Sequence, residues 1–91
     1  MVVLHAVVKG RVQGVGYRYY TERSAKARGL TGWVKNLYTG DVEVSAYGSD
    51  DAIREFTEDL RRGPFFSNVT DIDYTIENAE SDPFGSFDVR F

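Results

Sequence analysis

Three glycines and one arginine that could hold an anion fall within nine residues, Gly10-Arg11-Val12-Gln13-Gly14-Val15-Gly16-Tyr17-Arg18. An apolar, largely β-branched run (Val2, Val3, Leu4, Val7, Val8) leads in, and a helix-like stretch begins near Tyr17. Glycine accepts φ > 0 and has no side chain to block a ligand, so such a turn lets backbone N–H groups converge. Behind the turn stand the unpaired donors and the positive dipole end of a helix, which suit phosphate or a similar anion. Arg18 falls where the loop enters the helix, so its planar guanidinium can close over the same anion bidentately. The segment reads as a phosphate cradle formed by the amides of Gln13, Gly14, Val15, Gly16, Tyr17 and Arg18, with Arg18 as its clamp.

Composition narrows the phosphoryl chemistry this cradle could support. The chain has no cysteine, which closes the thiol-phosphatase route even though the loop ends in arginine. His5 is the only histidine and reads as a strand residue, not a base or ligand. The loop lacks the Gly-Lys-Ser/Thr ending of a nucleotide P-loop, so it offers no hydroxyl to Mg²⁺. Asp71-Ile72-Asp73-Tyr74-Thr75 matches the D-x-D-x-T spacing of aspartyl-phosphate phosphatases. Its acids alternate with apolar residues, however, as on the outer face of a strand, and the chain is too short for the domain that chemistry needs. No His, Asp or Glu cluster with ligand spacing lies near the loop, so neither a metal nor a cofactor is expected. What remains is positioning and electrostatics, which suffice for phosphoryl transfer because charge spreads over the equatorial oxygens.

The stretch Gly10 to Arg18 resembles the first signature of the acylphosphatase family, a glycine followed by V-Q-G-V, one residue, an aromatic or Met, and Arg. The second family signature is present as Gly32-Trp33-Val34-Lys35-Asn36, with Gly40, Val42 and Gly48 completing it. Tyr17 departs from the usual Phe or Met, and a phenol there needs a hydrogen-bond partner or solvent. The resemblance covers essentially the whole chain and implies hydrolysis of acyl phosphates to carboxylate and phosphate. It places the water-orienting amide of the family at Asn36, a side chain that both donates and accepts without titrating. Arg18 and Asn36 are therefore the candidate catalytic residues. The alternative is a non-catalytic phosphate- or carbamoyl-phosphate-binding module, since similar domains occur inside larger carbamoyl-transfer proteins.

The elements that must position these residues follow from periodicity. Val2–Lys9 reads as a buried strand, and Tyr17, Tyr20, Ser24 and Ala27 recur at helical spacing up to a stop at Gly29. Gly32–Leu37 and Asp41–Tyr47 form a hairpin across Thr39-Gly40. Ser49-Asp50-Asp51 starts a second helix with core face Ile53, Phe56 and Leu60, ended by Gly63-Pro64. Ile72, Tyr74 and Ile76 alternate with polar residues in a half-buried strand; Phe87, Val89 and Phe91 do so in a short last one. Asn78–Gly85 reads as the loosest loop. The order β-α-β-β-α-β plus a C-terminal strand predicts an α+β, ferredoxin-like split βαβ sandwich, mostly antiparallel, with two helices on one face. Trp33, Tyr17 and Tyr20 read as core, and Gly32, Gly40 and Gly48 as structural. The last strand ends at Phe91, where a terminal carboxylate is placed to pair with Arg18.

Ninety-one residues allow one domain with a single core. Residues 1–36 carry seven Lys/Arg against one acid, net +6, and residues 37–91 four against thirteen, net −9. The candidate anion loop thus lies in the basic part of an acidic chain, which suits a small anionic substrate steered locally. Nucleic acid would want a broad basic face, and an RNA-binding reading would need aromatics on the central strands, where only Tyr47 is offered. No run is long enough to cross a bilayer, and Met1-Val2-Val3-Leu4-His5 lacks the basic start of a signal peptide. The expected setting is cytoplasmic, as a monomer acting on a small acyl phosphate without nucleic-acid or membrane partners.

Overall fold

The computed structural model describes all residues from Met1 to Phe91. Its elements run β1 (Val2–Arg11), α1 (Tyr17–Ala27), β2 (Thr31–Asn36), β3 (Val42–Gly48), α2 (Asp50–Arg62), β4 (Asn68–Asn78) and β5 (Phe87–Arg90). The five strands lie in the order β4-β1-β3-β2-β5. Every neighbouring pair is antiparallel except β2 with β5, which run parallel. This is the ferredoxin-like arrangement with an added edge strand.

Strand alternation decides which face is covered. Val2, Leu4, Ala6 and Val8 on β1, Val34 on β2, and Val42, Val44 and Ala46 on β3 are buried under the helices. The chain packs α1 against β2 and β5, and α2 against β1, β3 and β4. The other face of the sheet is open and carries a set of ion pairs. His5 Nε2 lies 2.7 Å from Glu43 Oε2, Lys9 Nζ 3.5 Å from Asp41 Oδ2 and Lys35 Nζ 3.8 Å from Glu43 Oε1. His5 and the acids of the D-x-D-x-T stretch are therefore solvated strand residues, with Asp73 3.9 Å from Lys9.

Four expectations need correction. Trp33 is not core: adjacent Val34 takes the inward position, so Trp33 stands on the open face between Lys35 and Arg90, 4.7 Å from the Arg90 guanidinium. Only Ile72 of the β4 alternation is buried, while Tyr74 and Ile76 remain 45% and 46% exposed. β4 is an edge strand, and an open groove between it and Ile53, Arg54 and Thr57 of α2 leaves both side chains half-covered. On α1 the buried stripe is Tyr17, Thr21 and Ala25, one residue round from the expected one, and Ala27 is exposed. Gly10 belongs to β1, not to the loop. It sits at a register shift with φ 122°, and a Cβ there would lie 2.1 Å from the Asn68 carbonyl oxygen.

The helix ends follow local chemistry. Ser49 accepts from the Ala52 amide at the start of α2, with Asp50 and Asp51 in the first turn. Helix α1 ends at Gly29 (φ 70°), where the Leu30 and Gly29 amides bond back to the Ala25 and Lys26 carbonyls in a Schellman closure. The Asn78–Gly85 segment is organised about Asp82, which accepts from Thr31 Oγ1 at 2.7 Å and the Phe84 amide at 2.8 Å. Those two contacts, led by the Phe84 amide, hold the Asp82 carboxyl below its usual range.

Candidate active site

The turn between β1 and α1 is built by its two remaining glycines. Gly14 and Gly16 have φ of 73° and 79°, and a Cβ at either would meet nothing within 4 Å. Backbone conformation, not crowding, therefore calls for glycine at both positions. Gly16 is the N-cap of α1, yet no side chain caps this helix and its first turn contains no acid, the opposite of α2. The N–H groups from Gly14 to Tyr19 find no acceptor in the chain, which leaves a run of free donors at the positive end of α1.

Two side chains fix this turn against the rest of the fold. Gln13 Nε2 donates to the carbonyls of Leu37 and Asp41, both at 2.8 Å, which ties the loop to the β2–β3 hairpin. The sequence points to Gln13 for its backbone amide alone, whereas its side chain is the brace between the two signatures. Tyr17 is 1% exposed, and its Oη donates to the Leu60 carbonyl at 2.7 Å. The phenol thus finds its partner at the carboxyl end of α2, and burial pushes its pKa far above the usual tyrosine range. Half-buried Tyr20 makes the matching bond to the Asp59 carbonyl. Asp59 itself gathers Ser24 Oγ at 2.6 Å, Arg28 Nε at 2.8 Å and Arg62 Nη1 at 3.3 Å. Desolvation would raise the Asp59 pKa, but the bonds from Arg28 and Ser24 outweigh it and hold the carboxyl below its usual range.

A cavity of about 460 Å³ opens beside the loop, lined by Gly14, Gly16, Tyr17, Arg18 and Asn36 among others. It brings Arg18 from α1 and Asn36 from the end of β2 together, though they are eighteen residues apart in sequence. Gln13 and Val15 flank it. Asn36 Oδ1 is buried and is the one such side-chain polar atom with no hydrogen-bond partner in the chain. A buried amide oxygen left in that state is costly unless water or a ligand meets it. Arg18 is oriented by the end of β5. Its Nη1 donates to the Arg90 carbonyl at 3.1 Å, and its guanidinium lies 4.5 Å from the Phe91 ring centre. A carbonyl bond and a cation–π stack thus stand where the sequence leads one to expect a carboxylate pair.

The acylphosphatase family model matches residues 4–89. An acylphosphatase of Bacillus licheniformis is 38% identical over 91 residues, spanning all of both chains. An acylphosphatase of Bacillus subtilis is 47% identical over 75 residues, 82% of each chain. The crystal structure of acylphosphatase from Bacillus subtilis superposes with a TM-score of 0.95 at 40% identity, covering both chains completely. Matched along nearly its whole length in sequence and in backbone, with both signature segments meeting at one cavity, the chain belongs to the acylphosphatase family.

Proposed function

We propose that the chain hydrolyses the carboxyl–phosphate bond of acyl phosphates through a backbone cradle, an arginine clamp and an amide-held water. The observation that carries this reading is the cavity where unpartnered loop N–H groups, Arg18 and the buried Asn36 Oδ1 converge. The phosphoryl oxygens would lie on the amides of Gln13 to Arg18, with Arg18 matching the charge that grows on them. Water held by Asn36 would attack phosphorus opposite the leaving carboxylate. A carboxylate leaves readily, so no strong general acid is needed, and the groups assigned here to the phosphoryl group and the water are amides and a guanidinium. No step in this reading uses a metal or an organic cofactor.

Benzoyl phosphate tests the reading directly. Steady release of inorganic phosphate, inhibited competitively by added phosphate, is the expected result. Binding of phosphate without turnover would establish the non-catalytic module instead.

A further inference from the structure

The cavity extends past what a phosphoryl group needs, and the remainder has its own character. Beyond the loop it is walled by Tyr19, Val89 and Phe91, with one carboxylate, Glu22. Arg18 and Glu22 are the only charged side chains in the lining. They lie four residues apart on α1, hence on one face and about 6 Å apart along the helix axis. Glu22 is not consumed by Arg18, whose guanidinium is held by the Arg90 carbonyl and the Phe91 ring. Its partner is Lys26, one further turn along, with Nζ 3.2 Å from Oε2. The Lys26 side chain is 60% exposed, so it offsets the carboxylate only weakly.

We infer that Glu22 sets the charge preference of the site, selecting against acyl phosphates whose acyl tail carries a negative charge near the scissile bond. This rests on the acyl phosphate reading above. With the phosphoryl group on the loop and Arg18, the acyl body lies against Tyr19, Val89 and Phe91, none of which can neutralise a charge. An anionic tail there meets the Glu22 carboxylate, whereas a neutral or cationic tail does not suffer the repulsion. A tail charge held about 6 Å from the Glu22 carboxylate would be disfavoured by a factor of about 3 at the dielectric of water, and about 10 at half that value.

The test compares benzoyl phosphate with 3-carboxybenzoyl phosphate, which differ by one charge on the same ring. The readout is the ratio of kcat/KM for the anionic over the neutral substrate at low ionic strength. Glu22→Gln should raise that ratio about 3- to 10-fold, and Glu22→Lys should raise it further. Lys26→Gln, which removes the partial counter-charge, should lower it. All of these differences should shrink in about 0.5 M salt, where charges are screened within a few ångströms. A merely structural role for Glu22 would move both substrates together. Equal ratios in the parent and Glu22→Gln, with benzoyl phosphate turned over, overturn the Glu22 assignment alone. A parent that hydrolyses neither substrate overturns the acyl phosphate reading itself, and this inference with it.

Discussion

Replacing Asn36 by alanine should pull turnover away from both phosphate binding and stability. Asn36 Oδ1 is buried with no partner in the chain, and an acceptor in that condition costs about 1–3 kcal/mol unless water meets it. Alanine removes the acceptor without breaking a bond to the rest of the chain, so the folded state should lose little. In a domain of this size one kcal/mol moves Tm by about 4–8 °C. Asn36→Ala is therefore expected to melt near the parent temperature. Catalysis should fall sharply. Losing one preorganised contact to the reacting groups costs about 10²–10³ in kcat, or about 2.7–4 kcal/mol of transition-state stabilisation. The loop amides and Arg18 are untouched, so the inhibition constant for phosphate should stay where it is.

The measurements are steady-state hydrolysis of benzoyl phosphate, competition by inorganic phosphate, and thermal unfolding followed by circular dichroism. Asn36→Asp is the informative companion: it keeps the shape but sets an anion beside the cradle, so it should lose rate and phosphate affinity together. A folded Asn36→Ala with near-parent kcat would refute the water-holding role. So would a loss of phosphate binding as large as that of an Arg18 variant. A clear fall in Tm would mean that the amide secures the end of β2 and not a water.

Arg18→Gln should weaken phosphate as an inhibitor and also slow turnover, by about 10³ or more if arginine clamps in phosphoryl transfer are a guide. Loss of rate with unchanged phosphate affinity would contradict it. Exhaustive chelation should leave kcat/KM for benzoyl phosphate unchanged, and a loss restored by Mg²⁺ or Zn²⁺ would overturn the proposed mechanism. Tyr17→Phe strands the Leu60 carbonyl in the core, which should cost about 1–3 kcal/mol, read as a lowered Tm with turnover retained. Asp59 has a folded pKa below its unfolded value, so its stabilisation is present above about pH 4 and fades as pH falls through the folded pKa. Urea titrations should therefore show Asp59→Asn less stable than the parent at pH 7, with the gap narrowing toward pH 3; a constant gap would refute the ion-pair account.

Features fixed by local backbone chemistry were legible in the sequence, and features fixed by a residue's place in the sheet were less so. Gly14 and Gly16 announce themselves because few other residues adopt φ near 75°, and the Ser49 cap and the Gly29 stop are equally local. Trp33 misleads because an aromatic residue invites a core reading, while strand parity with Val34 puts it on the open face. Tyr74 and Ile76 have the right alternation for burial, yet β4 is an outermost strand with an open groove between it and α2, which no single-strand pattern reveals. At the site the same division holds. Arg18 and the loop amides follow from the turn, whereas Asn36 was found only through its resemblance to a family signature. Its physical mark, a buried oxygen without a partner, exists only once β2, the β1–α1 loop and α1 have come together. The Gln13 brace is of that kind as well: its two acceptors lie 24 and 28 residues away in sequence. That brace couples the β1–α1 loop to the hairpin turn beginning one residue past Asn36, so the two signature segments are positioned by one hydrogen-bonded strut. Disturbing the hairpin turn should therefore reach the β1–α1 loop without touching any residue that lines the cavity.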